Sequence, residues 1–179
     1  MTQILGIRHG EAMHNVLGQP GLDYPDTTLT VNGMAQALSL RAKVPIVDLV
    51  LVSPLTRTLQ TASLIFPESK IIALDELMEY PQNVEICNQR SPKDLLIRLF
   101  PNVDFQYISD DDGFDVMDAD THLESQIRKF KKFAAMMHSR GNQRMAAVTH
   151  SSWLKKFVNG TVGNVLNEIP HCSPVLMNL

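Results

Sequence analysis

The chain has 179 residues, of which 44% are hydrophobic, and this length and composition predict a single globular domain over residues 1–179. The 16 lysines and arginines against 19 aspartates and glutamates give a formal net charge of -3, which disfavours nucleic acid and anionic membranes as partners. Two cysteines without C-x-x-C spacing, no apolar span of ~20 residues and no leader pattern predict a soluble, cytoplasmic protein.

Strands and helices are predicted to alternate along the chain. Four short apolar runs have the composition of strands buried on both faces of a sheet: residues 4–7, 47–52, 71–74 and 145–148. Apolar residues at helical spacing lie between them: after Thr30, over 55–66, and over 123–137 behind a capping box at Thr121. This order predicts an α/β fold, a three-layer sandwich whose mostly parallel central sheet is flanked by helices.

Polar residues follow the ends of these strands: Arg8 and His9, the segment 53–57, Glu76 and Glu79, and His150 with Ser151. Ligands of parallel α/β sheets bind outside the carboxyl ends of the strands, so we expect these side chains to converge. A guanidinium holds phosphate oxygens in a bidentate fork, which favours Arg8 and Arg57 as anion ligands. The same cations would keep a neighbouring histidine neutral, and therefore nucleophilic, below its ordinary pKa of ~6.5.

The motifs around these residues resemble those of a known family. Arg8-His9-Gly10-Glu11, with Asn15 after it, resembles the R-H-G-E-x-x-x-N signature of the histidine phosphatase superfamily, branch 1, which has the phosphoglycerate mutase-like fold. Later segments resemble its L-T-x-x-G-x-x-Q, S-P-x-x-R-x-x-Q-T-A and V-T-H motifs: residues 29–36, 53–62 and 148–150. The likeness covers the whole chain, and the segments 14–16 and 99–105 look most like the fungal and plant small-phosphatase subgroup.

The resemblance implies a role for each site residue. His9 would become phosphorylated, and the phosphoryl oxygens would be held by Arg8, Arg57, His150 and Asn15. Backbone amides near Ser151, where a helix follows the strand, would complete the anion pocket.

An acidic residue after the third strand protonates the leaving oxygen in this family. Leu77-Met78-Glu79 fits the interval from that strand, whereas Leu74-Asp75-Glu76 has the same local pattern one turn earlier. Both remain candidates, and we favour Glu79.

The predicted function is hydrolysis of a phosphomonoester, a small phosphorylated metabolite or a phosphoprotein, through a phosphohistidine on His9. No H-x-x-x-H or H-E-x-x-H spacing occurs, so we expect neither a metal nor a cofactor. A phosphoglycerate mutase is the first alternative, disfavoured by the brief segment between Glu79 and His150. The second is a binding module that keeps the pocket without turnover.

Three other features of the sequence are interpreted from their residue patterns alone. The acidic segment 110–120 reads as a solvated loop, or as a pocket rim that disfavours highly anionic substrates unless Arg90, Lys93 and Arg98 face the cleft. Cys87 and Cys172 are interpreted as packing residues. His14 is interpreted as a packing or hydrogen-bonding residue, with contact to the substrate as the alternative, and His122, His138 and His171 as structural or solvated.

Overall fold

The computed structural model describes residues 2–80, 85–111, 119–163 and 167–179, except for the side chains at 19, 20 and 119–121. Within these residues the chain forms six strands: β1 (Gln3–Arg8), β2 (Leu49–Val52), β3 (Lys70–Ala73), β4 (Val103–Asp104), β5 (Met145–Thr149) and β6 (Pro174–Asn178). All six belong to one sheet, in the order β4-β3-β2-β5-β1-β6.

The sheet is mostly parallel, as predicted. Strands β1 to β5 pair in parallel, and β6 runs antiparallel to β1 at one edge. The four predicted strands are all present, whereas β4 and β6 were not predicted. Strand β4 has two residues, and β6 begins at Pro174 and is exposed at alternate positions, so neither forms a continuous apolar run.

Helices connect the parallel strands. In the described residues they are α1 (Met13–Leu17), α2 (Gln19–Leu22), α3 (Val31–Arg41), α4 (Thr56–Ile65), α5 (Lys93–Leu99), α6 (Ala119–Ser139) and α7 (Ser151–Asn159), with 3-10 turns at Asp75–Leu77 and Ile86–Asn88. Helix α3 begins as predicted, because the Thr30 hydroxyl accepts the Gly33 amide at 2.9 Å. Helix α6 begins at Ala119, two residues before the predicted cap at Thr121. Among these helices none is long and apolar enough to cross a membrane.

The side chains of each central strand alternate between two apolar layers. Val50 and Val52 of β2 pack in the layer that contains α3, α4 and α5, and Leu49 and Leu51 pack in the layer of α6 and α7. Each fully buried side chain of this size contributes ~1.5–3 kcal/mol. Covered on both faces, the sheet leaves its carboxyl edge as the place where polar side chains can gather.

Three strand ends meet at that edge. Strand β5 lies between β1 and β2, with Arg8 opposite Thr149 and Val52 opposite Val148 in the register. The residues that follow these strands are therefore neighbours in space, although up to 141 positions of chain separate them, from residue 9 to residue 150.

Candidate active site

The loop after β1 is held by backbone contacts to α3 and α4. The Gly10 amide donates to the Thr61 hydroxyl at 3.0 Å, and the Glu11 amide donates to Gln36 Oε1 at 2.9 Å. A Cβ atom at Gly33 would lie 2.0 Å from the Glu11 carbonyl oxygen, so the two backbones pack directly against each other. The glycine, glutamine and threonine of the motifs thus position the loop that carries His9.

Gly33→Ala is expected to lower the melting temperature. A glycine-to-alanine change inside a helix ordinarily stabilises by ~1 kcal/mol, but here the new methyl group would overlap the Glu11 carbonyl. Relief of such overpacking typically costs ~1–3 kcal/mol. Thermal unfolding measures the change, with Ser39→Ala at an exposed position of α3 as the control. A Gly33→Ala protein as stable as the control would contradict this account.

His9 is buried at the centre of the edge, 1% exposed. Its Nδ1 lies 2.7 Å from the Gly10 carbonyl oxygen, so Nδ1–H donates there and Nε2 carries the lone pair. Burial, followed by the charges of Arg57, His150 and Arg8, lowers the pKa of His9 well below its usual value of 6.5. The ring is therefore neutral, as predicted, but the largest cause is burial rather than the arginines.

Arg57 is also buried, with 1% of its surface exposed. Its Nη1 donates to the Cys87 carbonyl at 2.9 Å and its Nη2 donates to Asn88 Oδ1 at 2.8 Å, with His150 Nδ1 at 3.4 Å. Within the described residues, Arg57 Nε has no hydrogen-bond partner although it is buried. Cys87 is buried, as predicted, and its backbone carbonyl also orients the arginine.

Arg8 is tethered from the opposite end of the chain. Its Nη1 donates to the Ile169 carbonyl at 2.5 Å, and its Nη2 pairs with Glu168 Oε2 at 3.0 Å. Arg8 Nε is buried and, among the described residues, also lacks a partner. A buried N–H without an acceptor is unfavourable by ~1–3 kcal/mol, and a phosphoryl oxygen would satisfy it.

His150 has both ring nitrogens in contact with side chains. Because an arginine can only donate, Nδ1 accepts from Arg57, and Nε2–H donates to the Ser53 hydroxyl at 2.9 Å. Burial and the charge of Arg57 lower the pKa of His150 well below its usual value. Its ring lies 5.2 Å from the His9 ring, centroid to centroid, so β1, β2 and β5 contribute to one cluster.

Of the two acid candidates, Glu79 is coupled to the arginines. Burial raises the pKa of the partly buried Glu79 to about 7, while the Tyr80 amide and the charges of Arg57 and Arg8 act in the opposite direction. Its Oε1 accepts the Tyr80 amide at 2.9 Å. Glu76 lies in the 3-10 turn, where its carbonyl accepts the Trp153 indole N–H at 2.8 Å.

The two remaining predicted ligands bond to the protein in this structure. Asn15 is exposed, with Oδ1 accepting the Ala12 amide at 2.9 Å and Nδ2 3.1 Å from His14 Nε2. The Ser151 hydroxyl accepts the Ile169 amide at 3.0 Å, and the residue begins helix α7. Contact of Asn15 or of the Ser151 amide with substrate stays a prediction.

Sequence reasoning missed the segment that leads into β6. His171 lies with its ring 5.4 Å from the His9 ring, and its Nδ1 bonds to the His9 carbonyl at 3.0 Å. Glu168 pairs with Arg8 and also with Lys155, at 3.5 Å. A glutamate and a histidine in a stretch without a motif carry no signal that would place them at the site.

The residues that the structure describes offer few ligands for a metal ion. They contain no group of three or more histidine, cysteine, aspartate or glutamate side chains that could hold a metal ion. Three histidine rings lie near that of His9, and their nitrogens contact other groups: the Thr27 hydroxyl for His14, Arg57 and the Ser53 hydroxyl for His150, and the His9 carbonyl for His171. A reaction without metal stays a prediction.

The sequence matches known proteins over most of its length. The family model described as the histidine phosphatase superfamily (branch 1) matches residues 4–174. Phosphoglycerate mutase-like protein 1 of Arabidopsis thaliana is 30% identical over 195 residues, covering 86% of this chain and 69% of that protein.

Solved structures share the fold at lower identity. The ecdysone phosphate phosphatase of Bombix mori in complex with tungstate has a TM-score of 0.70 and 19% identity, covering 99% of this chain and 89% of that one. A phosphoserine phosphatase mutant from Entamoeba histolytica in complex with phosphoserine has a TM-score of 0.64 and 20% identity, covering 98% and 90%. At these identities the likeness establishes the fold, and the predicted fold class is confirmed.

Proposed function

Because the chain belongs to the histidine phosphatase superfamily, branch 1, we propose that it hydrolyses phosphomonoesters through a phosphohistidine on His9. One observation carries the proposal. His9 is buried, with the Nε2 lone pair free of the Gly10 contact, and the charges of two tethered guanidiniums act on its ring, each guanidinium having a buried Nε–H that lacks an acceptor among the described residues. An anion with tetrahedral oxygens fits those donors, and tungstate occupies the fold relative from Bombix mori.

In the first step, His9 Nε2 attacks phosphorus in line with the leaving oxygen. The N–P bond forms as the P–O bond breaks, and Glu79 gives its proton to the departing oxygen. Oε1 of Glu79 accepts the Tyr80 amide, which leaves Oε2 as the oxygen that donates the proton. The Gly10 carbonyl accepts Nδ1–H and stabilises the positive charge that the phosphorylated ring acquires.

In the second step, water attacks the phosphohistidine. The Glu79 carboxylate takes a proton from that water, the N–P bond breaks and inorganic phosphate leaves. His9 returns to its neutral form and Glu79 to its protonated form, so the cycle is balanced. Arg8 and Arg57 stabilise the charge on the transferred group in both steps, and His150 joins them when its Nε2–H turns from the Ser53 hydroxyl to a phosphoryl oxygen.

A panel of phosphoesters, assayed with a 3-phosphoglycerate mutase reaction alongside, tests this function. We expect phosphate release from several monoesters and an acid-labile, alkali-stable phosphoenzyme. Mutase turnover faster than hydrolysis would contradict the hydrolase, and binding of phosphoesters without turnover would favour the binding module.

Activity is expected to survive EDTA and to be inhibited by vanadate. Arginines rather than a metal neutralise the phosphoryl oxygens, and vanadate mimics the five-coordinate phosphorus of the transition state. Initial rates before and after chelation measure the first effect. Loss of activity that a divalent ion restores would overturn the metal-independent mechanism.

A further inference from the structure

We propose that this site selects phosphomonoesters whose organic part carries no negative charge. The inference rests on the proposed function and specifies its substrate class. It follows from the contacts of the lysines and arginines that could serve the site, and from the carboxyl groups that act on the two site arginines.

All 16 lysines and arginines lie within the described segments. The arginines whose charge acts on the His9 and His150 rings and on Glu79 are Arg57 and Arg8. One phosphoryl dianion would therefore use the two cations that the site offers.

The cations that could have bound a second anion are held elsewhere. Arg90 is buried, donates to the Ser109 and Asp111 carbonyls and lies 3.6 Å from Asp75. Lys93 donates to the Ile108 carbonyl at 3.0 Å and pairs with Asp110. Arg98 is exposed and pairs with Asp94 on its own helix, α5. Each of these three cations thus already has a carbonyl or carboxylate partner in the described residues.

Lys155 shares a carboxylate partner with Arg8. It is buried, and its Nζ lies 3.5 Å from Glu168, the same carboxylate that pairs with Arg8. The positive charge of Lys155 is thus matched by a carboxylate inside the same network.

Carboxyl groups outnumber the cations around the pocket. Besides Glu79, which enters the reaction protonated, the charge of Glu168 acts on Arg8 and those of Asp26 and Glu85 act on Arg57, so two guanidiniums face three charged carboxylates. A second anionic group on the substrate would be repelled by these carboxylates and, within the described residues, would find no further cation to bind it. Repulsion between a substrate anion and one carboxylate ~8 Å away, at an effective dielectric constant of ~20, weakens binding by about thirtyfold.

The described end of the acidic segment lies beside Asp26, a carboxylate whose charge acts on Arg57. Arg90 binds the carbonyls of Ser109 and Asp111, and Asp110 lines the same depression as Asp26 and Arg90.

Glycerol 3-phosphate and 3-phosphoglycerate form a matched pair for the test, since they differ in a terminal hydroxymethyl or carboxylate group. The methyl ester of 3-phosphoglycerate keeps the carbonyl and removes the charge. We expect kcat/KM to be at least ten times lower for 3-phosphoglycerate than for the other two. The comparison of phenyl phosphate with 4-carboxyphenyl phosphate repeats the test on an aryl scaffold. Added salt should reduce the ratio of kcat/KM between the neutral and the carboxylate substrate in both pairs.

Two single-charge variants locate the effect. Glu85→Gln removes a carboxylate whose charge acts on Arg57, and it should reduce the discrimination about threefold. Glu68→Gln is the matched control, because this exposed residue lies just before β3, at the amino edge of the sheet. An equal change in both variants would indicate a field of the whole molecule and contradict the local origin.

The two proposals fail differently. Equal kcat/KM within both pairs, with turnover of the esters intact, would overturn the charge selectivity and leave the phosphatase standing. Turnover of none of these esters, or of any in the wider panel, would overturn the proposed function itself.

Discussion

His9→Ala is expected to lower kcat for every phosphomonoester by roughly 10⁴-fold or more, because it removes the atom that forms the bond to phosphorus. The arginine cluster alone would leave a small residual rate. Steady-state phosphate release measures the loss, and acid quench followed by alkali treatment measures the phosphoenzyme, which should disappear.

Two controls separate loss of the nucleophile from loss of the fold. His9→Asn keeps a polar side chain that can donate to the Gly10 carbonyl, and it should be as inactive as His9→Ala while retaining more stability. His138→Ala removes a histidine beside the end of α6, whose ring bonds to the Asn142 carbonyl, and it should keep full activity. Activity near the wild-type level in folded His9→Ala or His9→Asn would exclude His9 as the nucleophile.

Glu79→Gln is expected to slow phosphorylation by ~10²–10⁴-fold for alkyl phosphates, which is the usual contribution of a general acid. Glutamine keeps the size and polarity of the side chain but has no proton to give. An activated phenol needs little protonation as it leaves, so 4-nitrophenyl phosphate should lose much less in the phosphorylation step. Single-turnover rates across a series of leaving groups measure this effect: in Glu79→Gln the rate should depend more steeply on the pKa of the leaving alcohol than in the wild type.

The pH profile gives a second measure of the same residue. Burial raises the pKa of Glu79 to about 7, so its protonated form is lost as the pH rises through that value. For alkyl substrates, kcat/KM of the wild type should fall above about pH 7. His9 adds no limb near neutrality, because its pKa lies well below 6.5 and the ring is already neutral there. Glu79→Gln should abolish the descending limb.

Glu76→Gln is the matched comparison for the acid. Its side chain belongs to the 3-10 turn whose backbone binds Trp153, and removal of its charge should alter neither the rate nor the pH profile appreciably. The opposite ranking of the two variants would make Glu76 the acid. If neither variant has an effect, the proton comes from another group and the two-step mechanism needs a different donor.

The sequence alone determined four of the six strands and the part of the site that lies on their ends. Buried parallel strands are continuous apolar runs, and the polar residue at the end of each run is visible in the sequence. Arg8, His9, Ser53 and His150 are therefore found at one edge, where the alternating pattern predicts them. The motifs also identified the family correctly, because glycine and glutamine positions such as Gly33 and Gln36 reflect a close backbone packing that few residues satisfy.

The tertiary structure decided how the arginines are held and how the pocket is charged. Arg8 is bound by Glu168 and the Ile169 carbonyl, 161 positions away in the latter case, and Arg57 is bound by the Cys87 carbonyl. Every residue has a backbone carbonyl, so such a contact leaves no mark in the sequence. The contacts of Arg90 and Lys93 likewise depend on which acceptors the folded loops bring to them, and here those acceptors are the Ser109 and Ile108 carbonyls. Long-range contacts, rather than residue types, thus set the charge of the pocket.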